Sequence, residues 1–197
     1  MDDLTILPAN ESACEDLQLI FGSRGTGRVC QCQRYKLEPG ESFGSVPVEE
    51  RQLRLREQTD CGDPGSGTTS GLVAYLNDEP VGWCAVEPRP EYIGLVRVFR
   101  VPWEGRDEDR SDPTVWAVTC LFTRAGSRKR GVSKELAKAS VDFARRGGAR
   151  AVEAYPITTK QVIPEELHVG TLDTYLEAGF SVVSRPTKRR AVVRIDF

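Results

Sequence analysis

Thr123-Arg124-Ala125-Gly126-Ser127-Arg128-Lys129-Arg130-Gly131-Val132-Ser133 joins two regular stretches, and its reading decides the fold. Ahead of it, the β-branched and aromatic run 115–123 predicts a strand. Behind it, Leu136, Ala137, Ser140, Phe143 and Ala144 recur at helical spacing over 133–146, Arg145-Arg146 suit the negative end of a helix, and Gly147-Gly148 close it. Residues 149–155 predict another strand, which completes a β-α-β unit with parallel strands and a right-handed crossover. The start of such a helix exposes backbone N–H groups and the positive end of the helix dipole. Small residues at Gly131 and Ser133 let an anion approach that backbone. Arg128, Lys129 and Arg130 add a field suited to a ligand with several phosphates, the alternative being a solvated basic turn.

Working outward, 71–76 and 80–86 predict a hairpin around Asn77-Asp78-Glu79, and 104–112 reads as an exposed, charged loop. Downstream, a helix over 172–178 ends at Gly179, and 181–184 with 191–197 forms an antiparallel hairpin about Pro186-Thr187-Lys188. Upstream, Ser12-Ala13-Cys14-Glu15 has the form of a capping box and predicts a helix over 13–21. Gly, Pro and Ser mark loops at 22–28 and 39–47 around a segment, 29–37, that reads as strand or helix. Pro47 suits the first position of a helix carrying Val48, Gln52 and Leu55, stopped by Cys61-Gly62-Asp63-Pro64-Gly65, and 61–71 reads as a flexible connection. Neither an internal repeat nor a low-complexity tract is present.

At 197 residues the chain suits one compact domain, and 39% hydrophobic with 28% charged residues excludes a wholly disordered chain. No apolar run is long enough for a membrane span. The formal charge of −2 argues against a general nucleic-acid binder, although Arg128 to Arg130 and Lys188 to Arg190 are local basic clusters. Met1-Asp2-Asp3-Leu4 is acidic where a secretory signal is basic, so a cytoplasmic protein is expected, with its six cysteines reduced. Cys30-Gln31-Cys32, with Cys61 and Cys84, offers one close pair where a zinc site wants two, so no metal is expected. Cys30 and Cys32, alternate residues, are instead placed on the wall of an acceptor pocket. Gly22-Ser23-Arg24-Gly25-Thr26-Gly27 lacks the strand-to-helix setting of a phosphate loop and reads as a linker.

Arg128-Lys129-Arg130-Gly131-Val132-Ser133 resembles the pyrophosphate loop of the GNAT superfamily of acetyl-CoA-dependent N-acetyltransferases, with Ser in the last small position. Tyr175-Leu176-Glu177-Ala178-Gly179-Phe180 is similar to a second element of that family, a tyrosine four residues before Gly-Phe. The resemblance covers about 71–197 and implies an α/β fold of the α+β kind. Its sheet is mixed, mostly antiparallel and twisted, with flanking helices around a central β-α-β unit that binds the cofactor. It also implies that residues 1–70 shape the acceptor site, and that the strand with Leu121, Phe122 and Thr123 splays from the strand over 151–155. That opening lets unpaired backbone groups bind acetyl-CoA and polarise its thioester. Arg128, Lys129, Arg130, Gly131, Val132 and Ser133 hold the pyrophosphate in the same scheme.

Acetyl transfer to an amine needs a proton acceptor, a polarised carbonyl and a proton donor for the departing thiolate. Tyr175, by its match to the family tyrosine, is the implied donor. The base is open, because 116–122 lacks the glutamate that many family members carry there. Glu153, on the second strand of the β-α-β unit, is the candidate, with Glu165, Glu166 and His168 of the following loop as other groups in reach. The expected activity is transfer of acetyl from acetyl-CoA to a primary amine of undetermined identity, with a non-catalytic acyl-CoA sensor as the alternative. The slight net acidity leans toward a cationic amine, and a homodimer is left open.

Overall fold

The structure, a computed structural model, describes residues 3–159 and 161–197; the acidic Met1-Asp2 opening lies outside the described residues. Among these, the strands β1 (Leu4–Pro8), β2 (Gly71–Leu76), β3 (Glu79–Pro88), β4 (Val115–Thr123), β5 (Ala151–Ala154), β6 (Ser181–Thr187) and β7 (Arg190–Asp196) form one sheet. Their order is β1-β2-β3-β4-β5-β7-β6, with β4 and β5 parallel and every other neighbour pair antiparallel. The helices are α1 (Cys14–Phe21), α2 (Gly25–Cys30), α3 (Val48–Thr59), α4 (Ile93–Arg97), α5 (Val132–Arg146) and α6 (Leu172–Glu177). Among the described residues no helix is long and apolar enough to cross a membrane.

The predicted β4-α5-β5 unit forms as a parallel crossover. Leu136, Ala137 and Ala144 of α5 bury themselves against Cys84, Val118 and Val152, and Tyr175 and Phe180 extend the same core. Burying such a stripe is the main force that holds an amphipathic helix to a sheet. On the opposite face, Leu17 and Phe21 of α1 pack on Trp83 and Ala85, while Tyr92, Leu95 and Trp103 cover Ala117, Tyr155 and Val192.

The amino-terminal part departs from expectation. Leu4–Pro8 is an edge strand paired with β2, too short for its alternation to stand out. The capping box does not form: Ala13 is the N-cap of α1, and the Ser12 hydroxyl donates to the Ala9 carbonyl at 2.7 Å. Residues 25–28, expected as loop or linker, join 29–30, from the segment read as strand or helix, to form α2, and the chain leaves it through Gln31 and Cys32, both left-handed with φ of 46° and 56°. Pro47 caps α3 from outside and is not its first helical residue. At the other end, β6 runs through Pro186 and Thr187, so the final hairpin turns at 188–189.

The cysteine expectation needs correction. Cys14 and Cys61 form a disulfide with Cα atoms 5.1 Å apart, and Cys30, Cys32, Cys84 and Cys120 are free. The pair escapes sequence inspection because α1 and the 61–71 segment meet only on folding. There Gly62 N–H donates to Ser12 O at 2.8 Å, and the Asn10 amide reaches Asp63 O and Ser66 O. That segment is thus anchored where a flexible link was expected, and the expectation of six reduced cysteines fails at Cys14 and Cys61. Titration of the denatured, unreduced protein should find four thiols, and Cys14→Ser should lower stability by about 2–4 kcal/mol, read by denaturant titration.

Candidate active site

The central feature is a parting of two parallel strands. β4 and β5 stay paired only from Val115↔Ala151 to Val118↔Ala154. Just beyond, β4 bulges: Ala85 faces Cys120 while Val86 faces Val118, which leaves Thr119 as the extra residue. From Thr119 to Thr123, β4 runs without β5 beside it. Of the three residues expected here, Leu121 is buried toward α5, Phe122 packs toward α1, and Thr123 Oγ1 lies 3.0 Å from Ser133 Oγ.

At the end of β4 the chain turns through three left-handed residues, Gly126, Lys129 and Gly131, with φ of 93°, 63° and 80°. Gly131 is the N-cap of α5, and its carbonyl accepts from Lys134 and Glu135 N–H. The N–H groups of Val132 and Ser133 therefore precede the first intrahelical bonds and point out of the helix start. A Cβ on Gly131 would meet nothing within 4 Å, so the space over this backbone is open. Arg128, Lys129 and Arg130 are exposed around it.

Tyr175 lies in the core behind the parting, fully buried and edge-on to Phe180 with ring centroids 5.2 Å apart. The chain closes on it tightly: a Cβ on Gly170, at φ 75°, would sit 2.8 Å from Tyr175 Cε2 and 3.1 Å from Leu121 Cδ1. Among the described residues its hydroxyl has no hydrogen-bond partner, and burial raises its pKa well above the usual value, so the proton stays on oxygen. A buried hydroxyl without a partner is costly, and a polar atom brought into the parting would relieve it.

Glu153 has quite different surroundings. It is fully buried on the face away from α5; Arg89 Nη1 donates to Oε2 at 3.3 Å, Arg194 Nη1 to Oε1 at 3.0 Å, and Arg106 also reaches Oε1. Tyr155 donates a fourth bond at 3.2 Å, and Glu108 lies against the same guanidiniums. Three guanidiniums and a hydroxyl already occupy both oxygens of this carboxylate, the setting of an ion-pair anchor. Arg106 and Glu108 thereby fold inward from a loop expected to be wholly exposed, and Arg89, Arg106 and Arg110 stack on Trp103 at 5.0, 5.3 and 5.2 Å.

A cavity of about 320 Å³ lies between α2 and the free half of β4, and Cys30, Cys32, Cys120, Phe122, Arg34 and His168 are among its lining residues. Cys30 and Cys32 thus share a wall as expected, through left-handed turns and not along a strand. A hydrogen bond from Cys120 lowers the Cys32 pKa, helped by Trp83 Nε1–H at 3.2 Å. Among the described residues no group of three or more His, Cys, Asp or Glu is arranged to hold a metal ion. His168 lies in the 3-10 turn Pro164–Val169, which packs on β4. Its Nδ1 donates to Glu165 O at 2.7 Å, so Nε2 carries the lone pair, and Nε2 is buried with no partner among the described residues. Burial first, then the charges of Arg34 and Arg190, bring its pKa down to about 4, which leaves the ring neutral at pH 7.

Beside this cavity and sharing Phe122 with it runs a wider groove of about 1,110 Å³, whose lining includes Arg24, Arg28, Arg56, Arg124 and Arg128. Sequence reasoning named Arg128 alone of this basic face and missed Arg34 altogether. Their cations are scattered from 24 to 128 and carry no local pattern.

A sequence model of the Acetyltransferase (GNAT) family matches residues 33–162, well over half of the chain and beginning ahead of residue 71, where the motif resemblance starts. No curated protein matches in sequence. Among solved structures, yncA from Salmonella typhimurium, solved with its cofactor acetyl-CoA, is similar with a TM-score of 0.55 at 13% identity, over 98% of this chain and 93% of that one. A GCN5-related N-acetyltransferase from Kribbella flavida reaches 0.54 at 14% identity, over 98% of each chain. An N-acetyltransferase from Staphylococcus aureus Mu50 reaches 0.54 at 12% identity, also over 98% of each. At such identities the likeness is one of fold, and it includes the mixed, mostly antiparallel sheet.

Proposed function

The chain belongs to the GNAT acetyltransferase family, and from that premise we propose that it transfers an acetyl group from acetyl-CoA to a primary amine, with its amino-terminal third helping to shape the acceptor site. Acetyl-CoA supplies the activated acyl thioester. The observation that carries the reading is the parting of β4 from β5 at Thr119, which leaves a strand edge free beside an open helix start.

In this reading the backbone of Thr119 to Thr123 holds and polarises the acyl donor. The N–H groups of Val132 and Ser133, with Arg128, Lys129 and Arg130, bind the pyrophosphate. Tyr175 keeps a proton on its oxygen and gives it to the departing sulfur; its unpartnered hydroxyl supports this role. Glu153 serves as a scaffold for the 89–110 segment, and the proton acceptor is His168, neutral and with Nε2 unengaged.

Incubation with acetyl-CoA and a panel of primary amines, read as release of free thiol, tests the activity. Acetyl-CoA binding without turnover on any amine would favour the sensor. The base assignment has a definite sign: burial favours neutral imidazole, so the working form persists above a pKa of about 4. In kcat measured at saturating amine, the limb due to this group should fall only as pH drops toward 4. His168→Gln should remove that limb and lower kcat about 10²-fold, the low end for general bases because so depressed a pKa makes a weak one. An unchanged profile in the variant would assign the proton to water.

A further inference from the structure

We propose, resting on the acetyltransferase reading above, that the acceptor is a small amino carboxylate with an apolar side group, and that Arg34 binds its carboxylate. The cavity between α2 and β4, about 320 Å³, is the size of a small-molecule site. Its apolar wall, with Phe21, Phe43 and Phe122, suits a hydrocarbon or aromatic side group.

The charged residues of the same wall are Arg34, Glu165 and His168. Other arginines of this chain meet carboxylates: Arg54 with Glu41, Arg150 with Asp112, Arg189 with Glu166. Arg34 meets none among the described residues, and its Nε is buried without a hydrogen-bond partner. It rests instead on the Phe43 ring, 5.5 Å from the centroid. That ring is backed by Arg51, 4.9 Å away, whose Nη1 is tied to Phe43 O at 2.9 Å and Val46 O at 2.6 Å. A half-buried guanidinium on a braced shelf and without a counter-ion is a built receptor for a planar anion. Glu165 supplies the opposite charge for an ammonium group, and His168 Nε2 is the nearby proton acceptor. Together they match a zwitterion. The arginines of the adjoining groove extend the positive field and disfavour a polycationic acceptor, against the expectation drawn from the chain's net charge.

The test uses pairs that differ only by the carboxylate: L-leucine against isopentylamine, and L-phenylalanine against phenethylamine. Binding by calorimetry and thiol release with acetyl-CoA should both favour the amino acid by about 10–100-fold, the worth of a charge-assisted bond. Arg34→Gln should bring that preference to within a few-fold while acetyl-CoA still binds as in the wild type; Arg34→Lys should keep part of it. Equal or better binding of the decarboxylated amines, or binding of neither member by protein that binds acetyl-CoA, would overturn the proposal and leave the acetyltransferase reading intact. Loss of acetyl-CoA binding in Arg34→Gln would assign this residue to the cofactor and also overturn it. Wild-type protein that prefers the amino acids yet fails to bind acetyl-CoA would overturn the acetyltransferase reading and support the ligand class.

Discussion

Tyr175→Phe lowers kcat by about 10²–10⁴ while acetyl-CoA binding survives, if the hydroxyl protonates the departing thiolate. The substitution removes one oxygen and keeps the ring that packs edge-on against Phe180. Because that oxygen is buried and has no partner in the protein alone, its loss should leave the melting temperature unchanged or slightly higher. This separates chemistry from folding: a merely structural tyrosine would show the same stability with turnover within a few-fold of wild type. Measurement at saturating acetyl-CoA keeps weakened binding from imitating a lost proton donor. Turnover unchanged in the folded variant would remove Tyr175 from the mechanism.

Gly131→Asp should abolish the stabilisation that acetyl-CoA confers. At 100 times its dissociation constant, a ligand adds about 2.7 kcal/mol, or about 5–11 °C in melting temperature for a chain of this length. The variant should fold. A Cβ at this position meets nothing within 4 Å, aspartate tolerates the left-handed region better than most residues, and it is a favourable N-cap. What the side chain occupies is the open space over the helix start, and its negative charge opposes pyrophosphate there. A full shift in the folded variant would mean that the phosphates bind elsewhere. Gly131→Ala is the control, with the same φ of 80° to satisfy and no added charge.

The parts of this molecule legible from sequence are those whose causes are local. The strand Val115–Thr123 and the long helix after it show in residue pattern, and Gly131 ahead of Val132 marks a helix start whatever surrounds it. The amino-terminal third was harder to read. Its edge strand is five residues long, its helix α2 has two glycines, and two left-handed non-glycine residues turn the chain at Gln31 and Cys32. Each of these is stabilised by contacts with β2, β3 and β4 and not by its own propensity.

The candidate site divides along the same line. Glu153 was correctly placed on the second strand of the β-α-β unit, but its role depends on which groups cover it. Arg89, Arg106 and Arg194 come from 64, 47 and 41 residues away, and no local spacing foretells them. The Cys14–Cys61 bond spans 47 residues for the same reason. By itself, the sequence determined the β-α-β unit, the helix start behind Gly131 and the family motifs at Arg128 to Ser133 and Tyr175 to Phe180, because periodicity and helix-end chemistry act between near neighbours. Only the tertiary structure decided that Glu153 is locked in an ion-pair cluster, that the half-buried His168 has its Nε2 shielded from water and its ring held neutral, and that Arg34 has no carboxylate partner among the described residues. Charge state and partnership follow from which distant segments exclude water and bring their own charges, and that is a property of the fold.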